Sequence, residues 1–354
     1  MSMEKSRTEE STLLLFILHS VRFSLCRSFR KFTNPSLFFS GGEVVYNQED
    51  DVHHETLTVG QTLKFALGLK TPGKLLEDQT KGQFREQVLE LLLRMLGMTH
   101  TKNTLVGSAY VRGVSGGERK RVSILEQMAS GSPAAVNSWD NSSRGLDAST
   151  ALDYAKSLRV ITDLHKSTNF VSLYQVSLAL PPANLLETDL DGSQAGESIY
   201  ECFDKVLVID SGRQIYYGPI GKARDYFTSL GFVPNPRQTT ADYLTGCTDP
   251  NERKIGTRAD GKPVPTTAEE LELAYFSSEI YAQEAAEAMT FKEMIAKDTA
   301  RRQNFVDVVQ EQRGKGVSDD SPYTVSFVRQ VALLARRQYV SPSLLLSSSL
   351  TSYQ

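Results

Sequence analysis

From Gly42 onward, blocks of apolar and polar positions change period along the chain. Glu43–Tyr46 reads as a strand and is followed by an acidic turn at Glu49, Asp50 and Asp51. Helical spacing takes over near Val59–Leu69, where Thr58 and Gln61 form a capping box, each side chain placed to satisfy the other's backbone N–H. A longer helix is predicted over Gln83–Leu96, with Val88, Leu91, Leu92 and Met95 on one stripe. Glu118–Ala129 is compatible with a helix, and Ala134–Trp139 is a short, mostly apolar strand that ends at Asp140. Next come a helix near Ser149–His165 and a β-branched and aromatic strand at Phe170–Tyr174. Two further strands, Val206–Ile209 and Gln214–Tyr217, are joined by a Ser211-Gly212 turn. Strands alternating with helices predict an α/β fold with a mainly parallel sheet. Tyr216, Tyr217 and Phe227 are expected in its core, and Trp139 is expected to pack rather than react.

Three stretches break this rhythm. Val176–Gln194 is polar and loop-like, with Pro181-Pro182 and a run from Asp189 to Ser193. It reads either as a surface-loop insertion or as a retained intron translated in frame, since valine codons begin with GT and a glutamine codon can end in AG. Ala268–Ala300 is rich in Glu, Ala and Lys with weak apolar periodicity, which predicts a solvated helical linker. Phe327–Tyr339 is basic and amphipathic, suited either to a membrane interface or to packing on its own domain.

No segment is apolar for the roughly 20 residues that a bilayer-spanning helix needs. The best candidate, Leu13–Leu18, is short and is followed by His19, Arg22, Arg27 and Arg30. Glu4, Glu9 and Glu10 spoil the basic start of a signal peptide, and no small-residue cleavage site follows.

Composition narrows the function classes. The 354 residues are 40% hydrophobic, enough for one large domain or two ordinary ones. A net charge of −3 offers no electrostatic footprint for nucleic acid. Cys26, Cys202 and Cys247 are far apart and odd in number, which supports neither a disulfide framework nor a zinc site. His53, His54, His100 and His165 pair with no nucleophile or ligand set in the sequence, and surface positions are expected for them.

The candidate chemistry lies between Val111 and Thr150. Ser115, Gly116 and Gly117 precede a helix, so their backbone N–H groups would point at an anion such as a nucleotide phosphate. Asp140 places a carboxylate at the C-terminal edge of a sheet, where a phosphate-bound metal could sit.

Taken in order, Val114-Ser115-Gly116-Gly117-Glu118, Ala134–Asp140 and Arg144-Gly145-Leu146-Asp147 resemble the signature, Walker B and D-loop segments of ATP-binding-cassette (ABC) proteins. The Gly117–Ser123 wording GERKRVS and the Trp-Asp-Asn at 139–141 are similar to the first nucleotide-binding domain of G-type fungal pleiotropic-drug-resistance transporters. Gly42–Asn47, Leu57–Leu63 and Arg237–Thr245 agree, and the resemblance runs from about Gly42 to Tyr323. It implies an incomplete nucleotide-binding domain of the P-loop NTPase type, with a mainly parallel sheet and a helical signature subdomain. ATP and Mg2+ are the implied cofactors. Ser115, Gly116, Gly117, Glu118, Asp140, Asp147, Gln48 and Glu49 are the implied nucleotide-site residues, with Asp140 on the metal.

The same resemblance exposes departures. No Walker A loop is found: Gly68–Leu75 nearly matches, but Leu75 has no oxygen for magnesium and the segment follows a helix rather than a strand. Residues 1–41 share nothing with the family and are expected to be disordered or mispredicted, leaving the sheet without its phosphate-loop strand. Asn141 stands where the family has a catalytic glutamate, Tyr174 where it has the switch histidine, and Glu49 where it has the Q-loop glutamine, with Gln48 one residue early. No catalytic residue is therefore assigned, and the chain alone is expected not to hydrolyse ATP.

Four regions follow: 1–41, atypical; 42–248, a partial nucleotide-binding domain; 249–320, a charged linker; and 321–354, the start of a helix that connects to a membrane domain. The implied partners are a second nucleotide-binding domain and the transmembrane domains of a parent exporter of xenobiotics, with no nucleic acid. The implied place is the cytosolic face of a membrane, or the cytoplasm if the chain is made alone. The alternative is a product of a truncated or mispredicted gene with neither transport nor ATPase activity. A soluble ABC ATPase acting on translation or DNA fits neither Phe327–Tyr339 nor the drug-resistance wording of the motifs.

Overall fold

The computed structural model describes residues 12–18, 44–73, 75, 79–130, 136–165, 167–173, 196–236, 238–258, 260–297, 317 and 325–338. Tyr174, the Val176–Gln194 insertion, Lys74 of the rejected phosphate-loop segment and the chain beyond residue 338 lie outside them. In chain order the strands are β1 (Thr12–Leu18), β2 (Val44–Asn47), β3 (Val136–Trp139), β4 (Thr168–Ser172), β5 (Lys205–Asp210) and β6 (Arg213–Pro219). The helices are α1 (Val59–Lys70), α2 (Lys81–Met95), α3 (Gly116–Ser130), α4 (Ala148–His165), α5 (Ile220–Ser229), α6 (Thr240–Thr248), α7 (Ala268–Phe276), α8 (Glu279–Lys297) and α9 (327–338). The fold is thus mixed α/β. It divides into two compact units, one of residues 1–34 and 136–298, the other of residues 35–135 and 299–354.

The first unit is built on a sheet whose strands run β3-β4-β1-β5-β6. The β3–β4, β4–β1 and β1–β5 pairs are parallel, and only β5–β6 is antiparallel. Ser211 (φ 50°) and Gly212 (φ 77°) both take the left-handed region at the β5–β6 turn, as a tight hairpin requires. The expectation of a sheet lacking its central strand is corrected here. Thr12–Leu18 lies between β4 and β5, in register from Leu14 opposite Phe170 to Leu18 opposite Ile209. A continuous apolar run of this length is too short to span a membrane but suits a parallel strand with neighbours on both sides.

Side chains of α4, α5 and α6 complete this core, with Tyr154, Leu158, Phe227 and Leu244 fully buried. The stretch expected to be a solvated linker also contributes. Leu271 and Tyr275 of α7 have no exposed surface, and the Tyr275 hydroxyl donates to the Tyr217 carbonyl at 2.8 Å. Arg213 on β6 pairs with Glu269 and Glu272, and Lys205 on β5 with Glu284 of α8. Part of the charge of the stretch, Glu269, Glu272, Glu284 and Glu287, pairs with the β-strand cations Arg213 and Lys205, while Leu271 and Tyr275 carry the packing.

The second unit packs α1, α2 and α3 together, with β2 against α3. Both bonds of the Thr58–Gln61 capping box form, at 2.9 and 3.2 Å. The α2 stripe is rotated from the expected one: Leu89, Leu92, Leu93 and Leu96 are buried, whereas Leu91 is exposed. Gly68–Lys70 form the last turn of α1, so the segment that nearly matched a phosphate loop begins as helix. Burial lowers the Lys70 pKa. In the same unit α9 seats Leu333 beside Gly68 and stacks Arg337 over the Phe65 ring at 4.3 Å. Its apolar Phe327, Val328, Val331 and Leu334 point to solvent.

Candidate functional site

The signature turn is shaped before it starts. Gly107 (φ 71°) and Gly113 approach so closely that a Cβ on either would lie 2.6 Å from backbone, and this crossing sets the chain's entry into α3. Val114, buried, donates its N–H to Leu105 O at 3.0 Å. Ser115 and Glu118 then close a reciprocal cap: Glu118 N–H donates to Ser115 Oγ at 3.3 Å, and Ser115 N–H to Glu118 Oε2 at 2.8 Å. The S-x-x-E spacing of Ser115 and Glu118 in the sequence is the signal for such a cap. The Ser115 N–H bond is the main reason that the Glu118 carboxyl sits below the usual carboxylate range. Its other oxygen faces His100 Nε2 at 3.2 Å. Glu118 is therefore committed to the helix end. Gly116 has open space where a side chain would be, so nothing in its own unit demands glycine there.

The strand-end residues lie in the other unit and are described by themselves. Trp139 is buried, as expected, edge-on to Tyr154 with centroids 5.9 Å apart, and its Nε1–H donates to Asn169 Oδ1 at 3.0 Å. Ser172 on β4, which no sequence signal marked, organises the next two residues. It accepts from Asn141 N–H at 2.8 Å and lies 3.2 Å from Asp140 Oδ1. Asn141 adopts φ 50°, a conformation asparagine tolerates better than most residues, and its carbonyl accepts from Arg144 N–H at 3.1 Å. Asp147 caps α4. Its carboxylate accepts from the Ser149 hydroxyl, from the Thr150 hydroxyl at 2.6 Å and from Thr150 N–H at 3.2 Å. These bonds, the Ser149 one first, hold its pKa down to about 2.

Gln48 is exposed, and the Glu49 carbonyl accepts from Lys120 Nζ at 2.6 Å. The structure thus joins Asp140 to Asn141 through Ser172, Ser115 to Glu118, and Glu49 to α3. Sequence reasoning missed Lys120, Ser123 and His53. The His53 side chain is only 4% exposed and meets Ser123 and Glu126, which corrects its expected surface position. A polar stripe at helical spacing on an otherwise apolar helix face was the available signal.

Among the described residues no group of three or more His, Cys, Asp or Glu side chains could hold a metal ion. Asp140 is a single carboxylate, which suits magnesium only when phosphate oxygens supply most of the ligands. Among the described residues no helix is long and apolar enough to cross a membrane.

No protein-family model matches the chain. Individual proteins do. The chain is 48% identical over 299 residues to ABC multidrug transporter I of Aspergillus fumigatus, covering 84% of this chain and 19% of that protein. It is 49% identical over 302 residues to ABC multidrug transporter atrF of Aspergillus flavus, covering 84% of this chain and 18% of the relative. It is 44% identical over 297 residues to ABC transporter G family member 14 of Dictyostelium discoideum, covering 84% and 19%. The chain thus spans less than a fifth of the length of these relatives. Over the residues it shares with them, the chain belongs to the G-type ABC transporter family.

Proposed function

We propose that this chain is part of the first nucleotide-binding domain of an ABC-type drug exporter, and that it donates a signature turn to ATP held by a second nucleotide-binding domain. The observation that carries this reading is the α3 start. Its first residues form a capped helix N-terminus, favourable to an anion, and Gly116 leaves open the space that a close approach would need. Ser115, Gly116 and Gly117 would face the terminal phosphate of that ATP, and Asp147 would lie at the same seam. Bound ATP and Mg2+ would supply the reacting phosphoryl group and neutralise its charge.

On the chain's own side, Asp140 would hold magnesium, and Asn141 has no carboxylate with which to accept a proton from water. That site would be slow or non-hydrolytic. The solvent-facing apolar residues of α9 support its place on the cytosolic face of a membrane, next to transmembrane domains of the parent. In the full-length transporter, Ser115→Arg is expected to abolish ATPase activity, while Asn141→Ala costs little. Equal losses in a steady-state ATPase assay would sink the division of labour.

A further inference from the structure

On the second unit, α2 and α9 bring arginines together that the nucleotide reading does not use. Residues 327–338 hold three arginines and no aspartate or glutamate. Arg337 is engaged with the Phe65 ring, whereas Arg329 and Arg336 stand four positions before and three after Leu333 and share its side of the helix. That side meets α1 and α2 at Gly68: a Cβ placed on this glycine would lie 3.3 Å from Leu333 Cδ2 and 3.8 Å from Arg85 Nη1. Burial first, and then the charges of Arg329 and Arg336, push the Arg85 pKa below its ordinary value. Arg85 Nε donates to Lys81 O at 2.8 Å, which leaves the terminal nitrogens of its guanidinium for another acceptor. The acids that follow on α2 are already taken: Glu86 by Lys64 at 2.7 Å and Lys102 at 2.6 Å, and Glu90 by Arg94. Among the described residues no carboxylate pairs with Arg85, Arg329 or Arg336.

Guanidinium groups gathered in this way repel one another unless an anion lies among them, and their forked donors match the oxygens of a phosphate. Free phosphate would meet that need alone, but the same helix carries a second demand. Phe327, Val328, Val331 and Leu334 form one exposed apolar stripe, turned away from the Leu333 side. Water penalises such a stripe, and an acyl boundary rewards it. A phospholipid carries phosphate and hydrocarbon in one molecule and answers both demands.

We propose that Arg85, Arg329 and Arg336 form a binding site for the phosphate-bearing headgroup of an anionic phospholipid, occupied while the apolar stripe of α9 lies in the acyl boundary. The site rests on the placement of α9 at a membrane face argued above. It adds what that placement does not give: a selectivity for anionic lipid, and a contribution from α2, which is no part of the amphipathic helix.

The test is co-sedimentation of the whole chain with vesicles of phosphatidylcholine alone, and of phosphatidylcholine and phosphatidylserine in roughly equal parts. Binding to the mixed vesicles is expected to be on the order of a hundredfold tighter, since each cation at an anionic surface contributes about fivefold. Arg85→Gln and Arg329→Gln, on different helices, should each lose about fivefold on the mixed vesicles and nothing on the neutral ones. Arg94→Gln removes the same charge from the opposite side of α2, where Arg94 pairs with Glu90, and should bind like the wild type. Arg85→Gln takes away a like-charge contact, so its midpoint of denaturant unfolding should not fall. Titration with inorganic phosphate alone should show no saturable binding in the millimolar range. Equal binding to the two vesicles, a loss in Arg94→Gln that matches Arg85→Gln, or saturable binding of inorganic phosphate would each overturn the headgroup site and leave the membrane placement standing. Binding to neither vesicle would overturn the placement and the site with it.

Discussion

The signature turn and the strand end after β3 are built by different means. Ser115 and Glu118 close their turn within four consecutive residues, using only each other's backbone and side-chain atoms. Asp140 and Asn141 depend on Ser172, and Trp139 beneath them depends on Asn169, all partners some thirty positions away on β4. A turn held by its own atoms tolerates change elsewhere in the chain. A strand end is only as well placed as its sheet.

The hardest test of this contrast is Leu15→Pro, which removes a backbone donor from the middle of a strand paired on both sides. It is expected to destabilise the first unit by roughly 3 kcal/mol or more, at the upper end of single-substitution effects. Hydrogen exchange should show protection lost across β4 and β5 while α1–α3 keep theirs; equal loss in both units would break the contrast.

Trp139→Ala should cost about 3–5 kcal/mol, because a fully buried aromatic, its edge contact with Tyr154 and its bond to Asn169 all go together. The midpoint of denaturant unfolding, followed by a probe on α4, reads it.

On the other side of the comparison, Ser115→Ala should cost only about 1 kcal/mol, the usual value of a helix N-cap. Exchange should quicken only near the start of α3. Asp147→Asn sharpens the picture further. A carboxyl depressed to about 2 stabilises the fold above its ordinary pKa near 3.8, and that contribution fades as the pH falls toward 2. Asp147 is largely exposed, so solvent screening keeps the effect small. The variant should lose a few tenths of a kcal/mol at neutral pH and show a shallower loss of stability below about pH 4 in acid titration.

What the sequence made legible follows the same line. Helix α1 and its capping box, and the β5–β6 hairpin with its Ser211-Gly212 turn, came from neighbours within a few residues, where side-chain type and spacing carry the physics. Tyr216, Phe227 and Trp139 are buried as expected, whereas Tyr217, expected with them, is half-buried. Ser172 and the His53–Ser123 pair were invisible because their partners are brought near only by the tertiary fold. On α2 the stripe was off by one position on the helical wheel, because the five apolar residues from Val88 to Leu93 allow two faces and only packing against α1 and α3 chooses between them. Strand β1 was missed for a different reason. A short unbroken apolar run has no period of its own, so in sequence it fits a signal or membrane segment as well as a strand, and only β4 and β5 on either side decide the matter.

That strand has a consequence for how the molecule is made. Leu14 leaves the ribosome well before its register partner Lys205, which emerges nearly two hundred residues later. At ordinary elongation rates the interval is roughly ten to forty seconds. Throughout it, Thr12–Leu18 has no β5 to pair with, so among the described strands the one in the middle of the sheet is made first and is among the last to find both neighbours. Birth order and assembly order run in opposite directions, and the nascent chain must keep an apolar segment from aggregating until its own sequence catches up.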